Sequence, residues 1–141
     1  AFWDGGYTGN PALFPLFARH LPDDILVVNI NPLVRDTVPT DPQTIQNRIN
    51  EISFNSSLLR ELRAIEFVQR LIADGKVEQG QMKRVLVHMI ADDRLMNDLN
   101  VATKTLARLK AAGQAAADAF LASHFDDLNE RETIDLRAMF S

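Results

Sequence analysis

The chain sets a carboxylate directly before two glycines, in Asp4-Gly5-Gly6, and continues through Tyr7-Thr8-Gly9 to Asn10-Pro11. Tandem glycines permit φ > 0 and let another group approach the backbone without a Cβ in the way. Asn10 is a good N-cap, and Pro11 at a first helical position gives up an N–H that has no partner there. The segment predicts a tight elbow that holds Asp4 rigidly at the mouth of a site. The same residues also read as an ordinary turn, in which the Asp4 carboxylate accepts the amides of Gly5 and Gly6.

No other constellation competes strongly for chemistry. His20, His88 and His124 show no His-x-x-x-His or His-Glu spacing of the kind that makes metal ligands. His20 and His124 end predicted helices, where a cation favours the dipole. His88 stands in an apolar run and reads as a hydrogen-bonded core histidine. The pairs Asp23-Asp24, Asp92-Asp93 and Asp126-Asp127 carry charge enough for a divalent cation. Each falls at an element boundary, so capping and solvation are their expected duties. Gly5-Gly6-x-x-Gly9 lacks the Lys-Ser/Thr of a phosphate loop and the Gly-x-Gly-x-x-Gly of a dinucleotide site. No metal and no cofactor is expected.

Composition narrows the class. The chain has 141 residues, 46% apolar and 24% charged, which suits a segment of single-domain size. A net charge of −4 leaves no basic stripe to neutralise phosphates, which argues against nucleic acid. Zero cysteines exclude a disulfide framework and fit a reducing, cytoplasmic compartment. Apolar runs such as Ile25–Val28 are too short to span a bilayer.

The elements that must position Asp4 follow in order. Leu13, Phe14, Leu16 and Phe17 predict a helix from Pro11 to about residue 20, stopped by Pro22. Ile25–Ile30 predicts a parallel strand buried on both faces. A proline-bearing loop leads to a long helix capped by Thr40 or Asp41, with Gln43 completing a capping box to Thr40. Its stripe is Ile45, Ile49, Ile52, Leu59, Leu62, Ile65, Val68 and Ile72, interrupted near Asn55–Ser57 and closed by Gly75. A helix of about 30 residues spans roughly 45 Å. Arg84–Ile90 predicts a second buried strand. Leu95, Leu99, Ala102, Leu106, Leu109, Ala112, Ala116 and Phe120 then form the stripe of a second long helix ending at His124. Thr133–Phe140 reads as a short final helix or a docking segment.

Trp3-Asp4-Gly5-Gly6, then Asn10-Pro11, then Ile25-Leu26-Val27-Val28-Asn29-Ile30 resemble in order the Asp-Gly-Gly region of the patatin-like phospholipases. The resemblance implies an α/β fold: the C-terminal portion of a patatin-like parallel-sheet hydrolase, with a helix-rich C-terminal extension. Residues 1–38 would complete the catalytic domain, and residues 39–141 would pack on it as the extension. It also implies that Asp4 is the base of a Ser–Asp dyad, with Gly5 and Gly6 shaping its loop. Aspartate at its ordinary pKa of about 3.9 is a poor base for an alcohol. Apolar walls from Phe2, Trp3 and Tyr7 would strengthen it by burial.

The family's nucleophile sits in Gly-x-Ser-x-Gly on a strand-to-helix elbow, beside a Gly-rich oxyanion loop. Ser53, Ser56, Ser57, Ser123 and Ser141 all lack those glycines. The expectation is that both segments precede Ala1 in a longer protein, which agrees with a chain that starts without Met or signal sequence. The implied reaction is hydrolysis of a lipid or other acyl ester through an acyl-Ser intermediate. Its partners are the substrate and the N-terminal portion of the same protein or a second copy. Arg60, Arg63 and Arg70 on the long helix suggest peripheral contact with an anionic membrane, against a solvated face paired with Glu61 and Glu66. The alternative to an enzyme is a non-catalytic helical interaction module that carries an Asp-Gly-Gly turn.

Overall fold

Pro15 shapes the first segment of the computed structural model, which describes residues 1–78, 80–91 and 104–141. An α-helix begun at Pro11 would need the N–H of residue 15 to bond the Pro11 carbonyl in its first turn, and proline has none. The expected helix is therefore replaced by a single 3₁₀ turn, Phe14–Phe17. Asn10 caps no helix; its peptide bond to Pro11 is cis. Lys83 holds the end of this segment, its Nζ donating among the carbonyls of Leu16, Ala18, Leu21 and Pro22 at 2.6–3.3 Å.

The architecture is mixed α/β. Strand β1 spans Asp24–Asn29 and strand β2 spans Leu86–Ala91, with helix α1, Pro42–Ala73, crossing between them. The strands pair in parallel, Asp24 opposite Leu86 through Asn29 opposite Ala91. Helices α2, Lys104–His124, and α3, Leu136–Phe140, follow. Asp92, Asp93, Leu95, Leu99 and Ala102 lie outside the described residues. Of the remaining α2 stripe, Phe120 is buried, Leu109, Ala112 and Ala116 are partly buried, and Leu106 is exposed, contrary to expectation.

Helix α1 runs 32 residues, about 48 Å at 1.5 Å per residue. Asp41, not Thr40, is its cap, and its Oδ1 accepts the N–H groups of Gln43 and Thr44 at 3.1 Å. At the other end Gly75 adopts φ +66°. Its N–H bonds Ile72 O, and the Lys76 N–H bonds Leu71 O, which is a Schellman closure. The buried stripe is Glu51, Asn55, Leu58, Leu62 and Ile65. Ile45, Ile49 and Ile52, expected inside, are 41–55% exposed. The first half of the helix turns polar residues inward because the loop after β1 presents carbonyls that need donors.

One core joins β1, α1, β2 and α3. Leu13, Ile25 and Val27 pack with Leu58, Leu62, Ile65, Val85, Val87 and Leu136. Burying each such side chain contributes roughly 1.5–3 kcal/mol. The other face of β1 is open. Leu26, Val28 and Ile30 are 46%, 65% and 72% exposed, so the expectation of a strand buried on both faces fails within this chain. The outer edge of β2 meets the tail, where the Thr133 N–H bonds Val87 O at 3.2 Å.

Candidate functional site

Asp4 caps a 3₁₀ turn, Gly5–Tyr7, and its Oδ1 accepts the Gly6 N–H at 2.8 Å. The Gly5 carbonyl takes the N–H groups of Thr8 and Gly9 at 3.0 Å, which closes the elbow. Neither glycine uses φ > 0, contrary to the reading of the tandem; the described glycines that do are Gly75 and Gly80. Space at Gly6 is tight instead. A Cβ built on it would stand 3.3 Å from Asp4 Oδ1 and 3.7 Å from the Phe54 ring. A Cβ on Gly5 would meet nothing within 4 Å.

The elbow does not stand alone. Asn10 donates its N–H to Ser57 Oγ at 3.1 Å. The rings of Tyr7 and Phe54 pack at 5.7 Å, and Trp3 meets Tyr7 edge-on at 6.1 Å. On the same stretch of α1, Asn55 Nδ2 donates to Pro32 O at 3.0 Å and Asn31 O at 3.4 Å. The Asp4 elbow and the carboxyl end of β1 are thus tied to neighbouring positions of one helix. In open parallel α/β sheets that end of the strands is where ligands bind.

The apolar enclosure expected around Asp4 is absent. Asp4 is exposed, and Phe2, Trp3 and Tyr7 are 105%, 85% and 67% exposed. Rings that project into solvent cannot wall a carboxylate. Among the described residues no serine hydroxyl bonds Asp4, whose carboxylate takes only the Gly6 amide.

Two polar clusters lie elsewhere; the sequence pointed to the second, through His88 as a hydrogen-bonded core histidine, but not to the first. Arg35 and Arg48 both bind the buried Glu51, Arg48 Nη1 at 3.1 Å from Oε2. Arg48 also donates to the carbonyls of Pro32 and Leu33 at 3.2 Å. Burial pushes the Glu51 carboxyl up, but the hydrogen bonds and charges of the two arginines outweigh it and hold the group below the usual carboxylate range. The cluster pins the loop leaving β1. Its one sequence signal was Arg48-x-x-Glu51 at helical spacing.

The second cluster surrounds His88, which is wholly buried. Its Nδ1 lies 3.2 Å from Thr133 Oγ1 and its Nε2 3.2 Å from Asp24 Oδ1. Asp24 also accepts the Asn129 N–H, and the Phe120 ring stands edge-on to the imidazole. His88 is a hydrogen-bonded core residue that fastens the C-terminal tail to the sheet. His124 ends α2 and bonds Asp127 Oδ2 at 2.8 Å. That bond and the charge of Arg131 keep the Asp127 carboxyl below its ordinary value against desolvation. His20, expected at a helix end, is exposed beyond the 3₁₀ turn. Among the described residues no three His, Asp or Glu side chains group as metal ligands. No described helix is long and apolar enough to cross a membrane.

Comparison of the chain with protein-family models, curated proteins and solved structures finds no match in any of the three.

Proposed function

We propose that this chain is the C-terminal portion of a patatin-like serine acyl-ester hydrolase and supplies the base, Asp4, of its Ser–Asp dyad. What supports the reading is the tethering of the Asp4 elbow and the loop after β1 to one turn of α1 through Ser57 and Asn55. A carboxylate whose elbow is tethered to the helix that also holds the loop after a parallel strand suits general-base work on a nucleophile carried by a neighbouring strand. Gly6 leaves room for the carboxylate, and its N–H restricts one oxygen while the other stays free to accept a serine proton.

The substrate class is a lipid or other acyl ester, cleaved through an acyl-Ser intermediate. The nucleophile and oxyanion donors come from the N-terminal portion of the same protein. With no cysteine, the chain suits the cytoplasm, at or near a membrane surface.

In the assembled protein, Asp4→Asn keeps the shape of the cap and removes the proton acceptor. It lowers kcat for a short-chain aryl ester about 10²–10⁴-fold, while the melting temperature hardly moves. The 141-residue chain alone, having a base without a nucleophile or oxyanion hole, turns over none of this ester. An Asp4→Asn enzyme with normal kcat, or turnover by the pure chain, overturns the assignment.

A second reading, a non-catalytic helical interaction module, draws on the exposure of Asp4, Trp3 and Phe2. In that case Asp4 caps a turn and nothing more, and the Asn variant is silent in every ester assay.

A further inference from the structure

Arg60, Arg63, Phe67 and Arg70 recur along α1 so that, at 100° per residue, they fall within an arc of about 80°. All four are exposed, Phe67 by 50%. The C-terminal helix α3 brings Arg137 and Phe140 against this face, and together they line an open cleft of about 700 Å³. In a chain of net charge −4, this is a local concentration of four arginines.

The guanidiniums are held by rings and backbone more than by carboxylates. Arg63 lies 5.1 Å from the centre of the Phe140 ring and Arg70 lies 5.5 Å from that of Phe67. Arg60 Nε donates to Ser56 O at 3.2 Å. Among the described residues Glu66 pairs only with Arg70, at 3.7 Å, and Glu61 forms no ion pair. Among the described residues Arg60, Arg63 and Arg137 have no carboxylate within ion-pair distance. Their charge is available to an external anion.

We propose that this face of α1 and α3 docks on an anionic lipid surface. Three features select that partner. The arginines are strung over about 15 Å of helix, so they meet a field of separate phosphates better than one small anion. The half-exposed Phe67 and the Phe140 ring lie among the cations in the same cleft. An acyl boundary rewards them, and a soluble anion does not. Guanidiniums stacked on rings are partly desolvated before contact, which strengthens their pairing with phosphate. Each basic residue near such a surface contributes about 1 kcal/mol, so three free arginines give roughly a hundredfold preference for anionic over neutral lipid. The proposal stands apart from ester hydrolysis, because its readout is binding alone.

The test is cosedimentation of the 141-residue chain with phosphatidylcholine vesicles, with or without phosphatidylserine. Binding is expected only when phosphatidylserine is present, and it weakens as salt is added. Replacing Arg60, Arg63 and Arg137 together by Gln abolishes it, whereas replacing them by Lys preserves most of it; circular dichroism confirms that both variants keep their helices. Phe67→Ala leaves the salt dependence and lowers the affinity several-fold. Equal binding to neutral and anionic vesicles overturns the proposal without recourse to any variant. So does full binding by the Gln variant, or a preference for single-stranded RNA over the anionic vesicles in direct competition.

Discussion

The backbone N–H of Asn10 donates to Ser57 Oγ at 3.1 Å across 47 residues of chain. This bond ties the segment carrying Asp4 to helix α1, against which the Tyr7 ring also packs through Phe54. Ser57 is buried, so its hydroxyl has little water to exchange with. Ser57→Ala strands the Asn10 N–H and should cost about 1–3 kcal/mol. Hydrogen exchange at residues 4–10 should accelerate more than exchange in β2, since the loss is local. Uniform acceleration across the chain would show that the bond is not specific to the elbow.

The two glycines of the elbow should respond differently to a methyl group. Gly6→Ala puts Cβ 3.3 Å from Asp4 Oδ1, so the carboxylate must shift by a few tenths of an ångström or release the Gly6 amide. Gly5→Ala meets open space within this chain. In the assembled enzyme, Gly6→Ala should lower kcat about tenfold or more by misplacing the carboxylate. A kcat unchanged by Gly6→Ala would mean the carboxylate's position is not critical. The chain alone should melt at the same temperature with Gly5→Ala as without it.

The Glu51 cluster predicts acid sensitivity of a defined sign. Its folded carboxyl titrates below the ordinary value of 4.5, held down by Arg35 and Arg48 against desolvation. The unfolded chain therefore binds the proton first as pH falls. The stabilisation is complete above pH 4.5 and is lost as pH drops through the folded value. Glu51→Gln should cost about 1.5–3 kcal/mol at neutral pH and much less at pH 3. Asp127, also depressed, retains a smaller acid dependence in that variant. Melting temperatures that fall in parallel for both proteins would show that Glu51 contributes nothing to the slope.

The open face and edge of β1 predict association. Leu26, Val28 and Ile30 present apolar surface on a strand that pairs on one side only among the described residues. Unpaired edges recruit other strands. At micromolar concentration the isolated chain should sediment as an oligomer, and Val28→Lys should shift it toward monomer. A compact, cooperatively melting monomer of the unaltered chain would remove the need for flanking strands, and with it the assignment of β1 to the core of a larger sheet.

What the sequence determined alone was local. Continuous apolar β-rich runs located both strands to within two residues and pointed to parallel pairing, although the two-sided burial behind that reading fails for β1. Asp41 and Gly75 marked the ends of α1 because caps are short-range chemistry. Tertiary structure decided the rest. The face of α1 that turns inward was misread because an apolar stripe at Ile45, Ile49 and Ile52 yields to the carbonyls of Asn31, Pro32 and Leu33, to which Arg48 and Asn55 donate. The Asp24, His88 and Thr133 network joins residues 45 and 64 positions apart, a separation with no periodic signature. The exposure of Asp4 likewise depends on what lies across the elbow in space, which neighbours in sequence do not specify.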